Sequence, residues 1–434
     1  MAALFVCSPL ALDTGMPQPT TRLAWLMWGL GALFYAYGFF QRVAPSVMVE
    51  DLMRDFAIGG ATLGSLSAAY FYAYALVQVP VGMLLDRFGP RSLLTGAALL
   101  AAGGGLAFAL AGSLSGAILG RALIGLGVGF AYISTLKLAS FWFPPHRFGL
   151  VAGLTLTAGT LGAVGAQVPL AALLSLAGWR AAMTVVAALG LVLAVLMLLF
   201  VRDRPVGVPP ARPPAAGMLA GLGQVLREPA TWQLTAATGL IGASVLAFAG
   251  LWGVPYLEQV EGLSRVEAGL LTSAMLAAWA AGGPACGWLS DRLRRRRPVL
   301  IGGALLMALL WLPVLLPGIP LALRSLAFIA VGAAAGSMVV AFAAARDRFG
   351  NALAGSAMGV VNSSVVLCGA AMQTLVGLLL DLRWEGGMAA GARIYGAPAW
   401  QVAFLIFPVA GLLAAAAAAA LTEEPRKARA DFPL

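Results

Sequence analysis

Twelve apolar runs, each near or above the ~20 residues that an α-helix needs to cross a bilayer, divide this chain of 434 residues, and charge gathers in the short stretches between them. The runs fall near 23–49, 62–85, 92–112, 115–142, 148–175 and 180–201, then near 230–257, 266–289, 298–318, 321–344, 353–381 and 398–421. Hydrocarbon offers no water to unpaired backbone groups, so runs of this length satisfy their N–H and C=O groups within helices. An all-α membrane protein with twelve transmembrane helices is therefore expected. The 10% charged fraction, against about 25% for soluble domains, excludes an ordinary soluble fold.

After the sixth run comes the one real linker, where Pro205, Pro209, Pro210, Pro213 and Pro214 cannot continue a helix. The expected layout is a tail over 1–22, a six-helix bundle over 23–201, a linker over 202–229, a second six-helix bundle over 230–421 and a tail over 422–434. The halves echo each other. Gly82-Met83-Leu84-Leu85-Asp86-Arg87-Phe88-Gly89-Pro90-Arg91 closes the second run; Gly287-Trp288-Leu289-Ser290-Asp291-Arg292, with arginines at 294–297, closes the eighth, 205 residues further on. An offset close to half the chain marks one bundle as a degenerate copy of the other.

The formal net charge is +10. On a basic domain that excess would point to nucleic acid, but here it is spread over short loops and reports topology, so no nucleic-acid partner is expected. With the N-terminus inside, the inner segments hold eighteen Lys and Arg, against six outside: Arg54, Arg180, Arg265, Arg324, Arg383 and Arg393. Both termini are thus expected in the cytoplasm, in a cell (inner) membrane protein. Residues 2–12 are apolar without a preceding basic residue, which does not read as a cleaved signal peptide. Cys7, Cys286 and Cys368 stand far apart without metal spacing, and neither a metal nor a cofactor is expected.

The wording G-x-L-x-D-R-x-G-x-R at 82–91, echoed as G-x-L-x-D-R at 287–292, resembles the signature between the second and third helices of major facilitator superfamily transporters. The resemblance implies the major facilitator fold, two pseudo-symmetric six-helix bundles rocking about a midplane site. It also implies a gating role at the inner face for Gly82, Asp86, Arg87, Arg91, Gly287, Asp291 and Arg292. Physically, an aspartate that ends one helix can sit against the N-terminus of a helix in the other half, where unpaired N–H groups favour negative charge. The competing reading is a positive turn chosen for topology alone.

Arg42, Arg121 and Lys137 lie inside apolar runs. A cation there costs several kcal/mol on insertion scales and marks a pathway by default. At 3.6 residues per turn, Tyr35, Arg42 and Ser46 share a face. Tyr70, Tyr74 and Gln78 form a stripe on the second run, and Asn362 and Gln373 share a face of the eleventh. Tyr132, Trp252 and Tyr256 add aromatic candidates for a cavity wall, while Trp25 and Trp28 suit the inner interface. Each has a plainer alternative: snorkelling for the arginines, an interfacial position for Lys137, and helix packing or interhelical hydrogen bonding for the rest. Glycines at 153, 159, 162, 165, 332 and 336 are read as packing positions.

Within the superfamily, Arg42-Val43, Leu63 to Tyr70, Gln78-Val79-Pro80, Arg121 to Gly127, Lys137 with Phe141-Trp142-Phe143-Pro144-Pro145, and Gly178-Trp179-Arg180 resemble the anion:cation symporter branch. That resemblance implies organic anions held by Arg42 and Arg121. In the branch an aspartate commonly precedes the first arginine and a glutamate follows the glycines of the fourth helix, both tied to proton coupling; here Gln41 and Val128 stand there. All 17 acidic residues fall in tails, loops or span ends, and the lone His146 belongs to a loop. Arginine does not release its proton in the physiological range.

The expected function is secondary active transport of a small organic anion, of carboxylate or sugar acid type, by alternating access. Coupling is expected to be by exchange, or by a proton that the substrate itself carries. The partners are the small-molecule substrate and membrane lipids, and a monomer suffices. One alternative is an exporter of amphipathic drug-like or siderophore-like compounds, although Gly159-Thr160-Leu161-Gly162 lacks the proline of the antiporter signature. Another is a transport-inactive membrane sensor. A membrane enzyme is not expected, since no nucleophile, acid–base pair or ligand set is gathered.

Overall fold

In the computed structural model, residues 21–78, 80–204 and 218–422 are described. Most of the expected tails, the linker prolines, the surroundings of Gly82 and the side chain of Asp86 lie outside what is described. The described chain is almost wholly helical. Its first span is Thr21–Val43, followed by a 3-10 turn Ala44–Val47 and a short helix Val49–Phe56 that lies between the first two spans. The second begins at Gly60–Val77 and resumes in Val81–Ala109, where Gly89 at φ 76° and ψ 162° ends it and lets the third begin. The fourth is Leu114–Val128 with Ala131–Trp142. The fifth is Pro145–Gly165 and the first part of Val168–Phe200, which Gly178 at φ 74° divides from the sixth.

In the second half the seventh span runs from Pro229–Ala247 through a π-turn at Phe248–Trp252 to Gly253–Gln259. The eighth, Arg265–Arg292, starts with a capping box in which Ser264 and Glu267 satisfy each other's backbone N–H groups. Then come Arg297–Leu310 with Leu312–Leu315, Leu321–Ala335 leading into Val339–Leu382, and Ala397–Phe404 with Ile406–Ala419. Val339–Leu382 carries parts of two apolar windows, 321–349 and 356–382, with Arg346, Asp347, Arg348 and Asn351 at their junction. Its 44 residues would reach ~66 Å, twice the hydrocarbon thickness, so each window crosses separately.

Nine stretches of the described residues are long and apolar enough to cross a membrane, one of them the 51-residue stretch Leu150–Phe200. Dividing that stretch at Gly178 and adding Gly60–Val77 and Arg265–Arg292 is consistent with the twelve-span reading. Leu176 and Leu76 are 85% and 72% exposed, as expected of side chains that meet lipid rather than water. In addition to the helices there is a two-residue hairpin, Met388–Ala389 with Ala392–Arg393, turned by Ala390 and Gly391 at positive φ.

The two halves repeat one packing scheme. The first span lies on the fifth and the third on the sixth; correspondingly, the seventh lies on Val339–Leu382 and the ninth on the twelfth. Lipid supplies no hydrophobic drive between helices, so close approach and dispersion hold them together. Glycine makes the approach possible. A Cβ on Gly162 would stand 2.0 Å from the carbonyl oxygen of Ala36, and one on Gly336 would stand 2.2 Å from the carbonyl carbon of Gly282. Gly153 has nothing within 4 Å and does no such packing, unlike its expected companions.

Between the halves, the second span packs on Val339–Leu382 and the fifth on the eighth. A cap supplied across this interface marks the end of the bundle that bears Val49–Phe56 and the hairpin, called here the distal end. Gly59 offers no side chain to cap the helix Gly60–Val77. Instead Asp381 of the other half takes the N–H groups of Gly60 and Ala61 on its two oxygens, each at 2.9 Å. Tyr395 Oη donates to the same carboxylate at 2.7 Å, and Arg393 pairs with it at 3.1 Å. Arg265 reaches Asp51 at 3.2 Å and Glu50 at 3.7 Å across the interface, and Glu258 on its own side at 3.4 Å. Gln167, fully buried, donates to the carbonyl of Ala249 at 2.9 Å.

Candidate functional site

Arg42 and Arg121 are both inside the first bundle, 7% and 0% exposed. Snorkelling needs a head open to water or lipid headgroups, and burial among other side chains leaves neither head so placed. Arg42 occupies the last turn of Thr21–Val43. Its Cζ stands 4.3 Å from the ring centre of Phe39, 5.1 Å from that of Tyr74, and 5.9 Å from those of Tyr70 and Phe71. Arg121 lies midway along Leu114–Val128 and donates from Nη1 to the carbonyl of Gln41 at 2.6 Å, with its Cζ 4.9 Å above Tyr70. One ring thus faces both guanidinium groups.

Gly125, one turn beyond Arg121, explains this closeness. Its missing Cβ would stand 2.0 Å from the carbonyl oxygen of Tyr70, so only glycine lets the fourth span rest on the second at this level.

Among the described residues no carboxylate pairs with either arginine. Arg121 Nε and Nη2 have no partner, nor does Arg42 Nε. Nε and Nη2 form the side-on edge of a guanidinium, two parallel N–H donors spaced for the two oxygens of a carboxylate. That edge of Arg121 is buried and unused. Orphaned charge-bearing donors are expensive in a dry interior, and an oxyanion is the group that would complete them.

Neither of the two positions at which the branch resemblance implies an acid carries one. Gln41 is fully buried; its Nε2 donates to Tyr37 Oη at 2.8 Å and its Oε1 is unpartnered. Val128 is 3% exposed, and a Cβ on Gly38 would stand 3.0 Å from it. Apolar contact fills the second position, and an amide that cannot titrate fills the first.

Other expected residues divide into those near the arginines and those elsewhere. Tyr35 stands 5.1 Å from Tyr132 and 4.9 Å from Phe39, and Tyr74 stacks on Tyr70 at 6.3 Å. Gln78 donates to the carbonyl of Gly129 at 3.1 Å. Ser46 departs from the expected helical face: the α-helix ends at Val43, and Ser46 Oγ turns to Gln167 at 3.3 Å.

Trp252 and Tyr256 are corrected from cavity wall to packed core. Trp252 is fully buried and its Nε1 donates to the carbonyl of Gln373 at 2.8 Å. Tyr256, 2% exposed, packs on Phe404 and Trp400 and donates to Glu261, which pairs with the buried Arg324. Gln373 is fully buried, with Nε2 on the carbonyl of Leu246 at 2.9 Å, whereas Asn362 is half-buried. Among the described residues, none of these four makes a hydrogen bond or ring contact with Arg42 or Arg121.

At the other end of the bundle, Arg91 is tied within its own half. Its N–H donates to Asp203 and its Nη2 to the carbonyl of Leu198, both at 2.7 Å. Asp291 was expected against the opposite half. Its side chain is 66% exposed and pairs at 2.7 Å with Arg296 of its own half, which also reaches Asp347 at 3.0 Å. Arg87 and Arg292 lie over Phe88 and Trp288, at 5.3 and 5.4 Å. Gly287 has open space around its Cα.

Sequence reasoning missed Tyr70 as the shared ring, Gln167 and the Asp381 cap. Only the spacing Tyr70-x3-Tyr74 gave a hint of the first.

Known proteins place the chain. A family model described as Major Facilitator Superfamily matches residues 28–372 and 254–433. The chain is 26% identical over 280 residues to a probable sulfoacetate transporter of Cupriavidus necator, covering 62% of this chain and 65% of that one. It is likewise 26% identical over 302 residues to a probable L-galactonate transporter of Escherichia coli, covering 64% and 65%. It therefore spans just under two thirds of the length of these relatives. In three dimensions it matches the crystal structure of a bacterial homologue of the human lysosomal transporter Spinster, in an inward-facing and unoccupied conformation. The TM-score is 0.77 at 19% identity, over 92% of this chain and 98% of the other, a likeness of fold. With the matched residues running through both bundles, the chain belongs to the Major Facilitator Superfamily, a family of multi-pass membrane transporters.

Proposed function

We propose that this protein is a secondary carrier of a small organic anion, of carboxylate or sugar acid type, working by alternating access in the cytoplasmic membrane with both termini inside. One observation carries the reading: Arg121, fully buried, keeps the side-on edge of its guanidinium unpartnered, beside Arg42 and without a described carboxylate. Relatives whose descriptions name sulfoacetate and L-galactonate, both anions, support it. The bonds across the distal end and the exposed Asp291, paired within its own half, support an inward-facing state.

The coupling follows from the chemistry of the site. Arginine keeps its charge through the cycle, and neither Gln41 nor Val128 can exchange a proton. Return of the empty carrier would carry two cations through a low-dielectric, occluded state. Exchange of one anion for another avoids that step; an anion that brings its own proton supplies the titratable group the site lacks, but its cycle still includes the empty return.

The test uses purified protein reconstituted in vesicles and preloaded with a labelled carboxylate. Efflux should accelerate when unlabelled carboxylate is added outside; an equal rate into anion-free buffer would remove the exchange reading. In detergent, a panel of carboxylates, phosphates and cationic amphiphiles should raise the wild-type Tm only through the anions, and Arg42→Ala should abolish the rise. Stabilisation by the cationic compounds alone would favour an exporter of amphipathic compounds.

A further inference from the structure

We propose that Tyr70 is a positioning residue for both arginines, its ring acting as the neutral partner that a carboxylate supplies to buried guanidinium groups elsewhere. The inference rests on the anion-carrier reading only for its consequence in transport; the Tyr70–arginine coupling itself is independent of it.

Tyr70 is fully buried on the helix Gly60–Val77, and its Oη donates to the carbonyl of Gly38 at 2.9 Å. That bond fixes the ring against the first span. From this position it meets Arg121 Cζ at 4.9 Å and Arg42 Cζ at 5.9 Å, and Tyr74, tilted by only 15° from it, extends the aromatic surface beneath Arg42. Phe39 and Phe71 complete the surround of Arg42. A cation over an aromatic face is stabilised by the ring quadrupole, most strongly where water is excluded.

The choice of an aromatic partner has two effects that a carboxylate would reverse. First, a carboxylate would take the side-on edge of the guanidinium itself and compete with the substrate. The ring attracts the cation through its face and leaves Arg121 Nε and Nη2 open. Second, a carboxylate would add a group that can titrate during the cycle, whereas the ring keeps the charge of the site constant. The ring offsets part of the buried charge and not all of it, so the preference for exchange stands.

The experiment is a set of variants measured in two ways. In the absence of any added anion, Tyr70→Leu is made in wild type and in Arg121→Met, and Tyr70→Phe in wild type. Tyr70→Leu should lower Tm by about 3 °C in wild type and by less than half as much beside Arg121→Met, while Tyr70→Phe, which keeps the ring but loses the Oη bond to Gly38, should lower it less than Tyr70→Leu does. An equal loss in both backgrounds overturns the proposal, because a ring that only fills space does not depend on Arg121.

In the second arm, the half-saturating concentration of acetate, then of larger carboxylates, is read from vesicle exchange. Tyr70→Leu should raise it about tenfold with the maximal rate changed less, and Tyr70→Phe should restore it. A half-saturating concentration unchanged in Tyr70→Leu also overturns the proposal. If no carboxylate is exchanged by the wild type while the Tm coupling holds, the anion-carrier reading fails and the positioning role stands.

Discussion

Replacing Asp381 by asparagine should open the distal end. In the structure this carboxylate caps a helix of the other half, with one oxygen on Gly60 N–H and the second on Ala61 N–H, and Tyr395 and Arg393 as further partners. Asparagine keeps the shape but offers a single acceptor and no charge. An N-cap bond contributes about 1–2 kcal/mol, and negative charge at a partly buried helix N-terminus adds up to ~2 kcal/mol. A loss of about 2–3 kcal/mol is therefore expected. It falls only on the state in which the halves meet here, so the closed-to-open ratio should drop roughly 30- to 150-fold, at tenfold per ~1.4 kcal/mol.

The assay is the rate at which a membrane-impermeant thiol reagent labels Ser46→Cys, in a chain whose Cys7, Cys286 and Cys368 are replaced by alanine. Ser46 is 1% exposed behind the seal, bonded to Gln167, so it reports opening directly. Adding Asp381→Asn should speed labelling by at least tenfold. An unchanged rate would refute the reasoning, since it would mean the cap contributes equally to both states.

Three other outcomes are expected. Arg121→Met should abolish anion-induced stabilisation yet leave the anion-free protein as stable as wild type or more so, because it removes a buried charge without a carboxylate partner; differential scanning fluorimetry with and without anion reads both. Gly125→Val should cost more than about 3 kcal/mol by forcing the fourth span off Tyr70, read as a fall in Tm, whereas Gly153→Ala, with nothing within 4 Å, should be silent.

Asp55 supplies a pH test. Burial alone would raise its carboxyl pKa, but a hydrogen bond from Trp179 and the pairs with Arg180 and Arg54 hold it below the ordinary value. A lowered folded-state value adds stability that is whole above the ordinary carboxyl pKa of about 3.9 and disappears as pH falls below it. Asp55→Asn should therefore be less stable than wild type by about 0.5–1 kcal/mol at pH 7, and the gap between the two melting temperatures should narrow progressively as pH is lowered from about 3.9 through the depressed folded-state value.

The helical membrane fold and the family were legible because hydrocarbon length and the glycine–aspartate–arginine motif leave few alternatives. Arg42 and Arg121 were legible as buried cations because charge inside an apolar run has few places to go. The helix Val49–Phe56 was missed, although Val49, Leu52 and Met53 fall at helical spacing around Glu50 and Asp51; all but Val49 lie in the charged stretch between the first two apolar runs, which reads as a loop. Trp252 and Tyr256 were misplaced for another reason. Periodicity says which face of a helix is apolar, but lipid, cavity and neighbouring helix all accept an aromatic ring, and only the fold shows Phe248, Phe404 and Trp400 already there. The Asp381 cap was hidden because its two partners are 321 and 320 positions away in the chain.

The cap on Gly60 and Ala61 also sets what must happen to water. When the halves separate at this end, two backbone donors, the Asp381 carboxylate and the Tyr395 hydroxyl are uncovered together. Each is a group that a solvent molecule can satisfy in place of its lost partner, so the departing bonds are exchanged rather than abandoned. Opening is thus a wetting transition as much as a rigid-body swing, with a small net enthalpy and a population that follows the activity of the water outside.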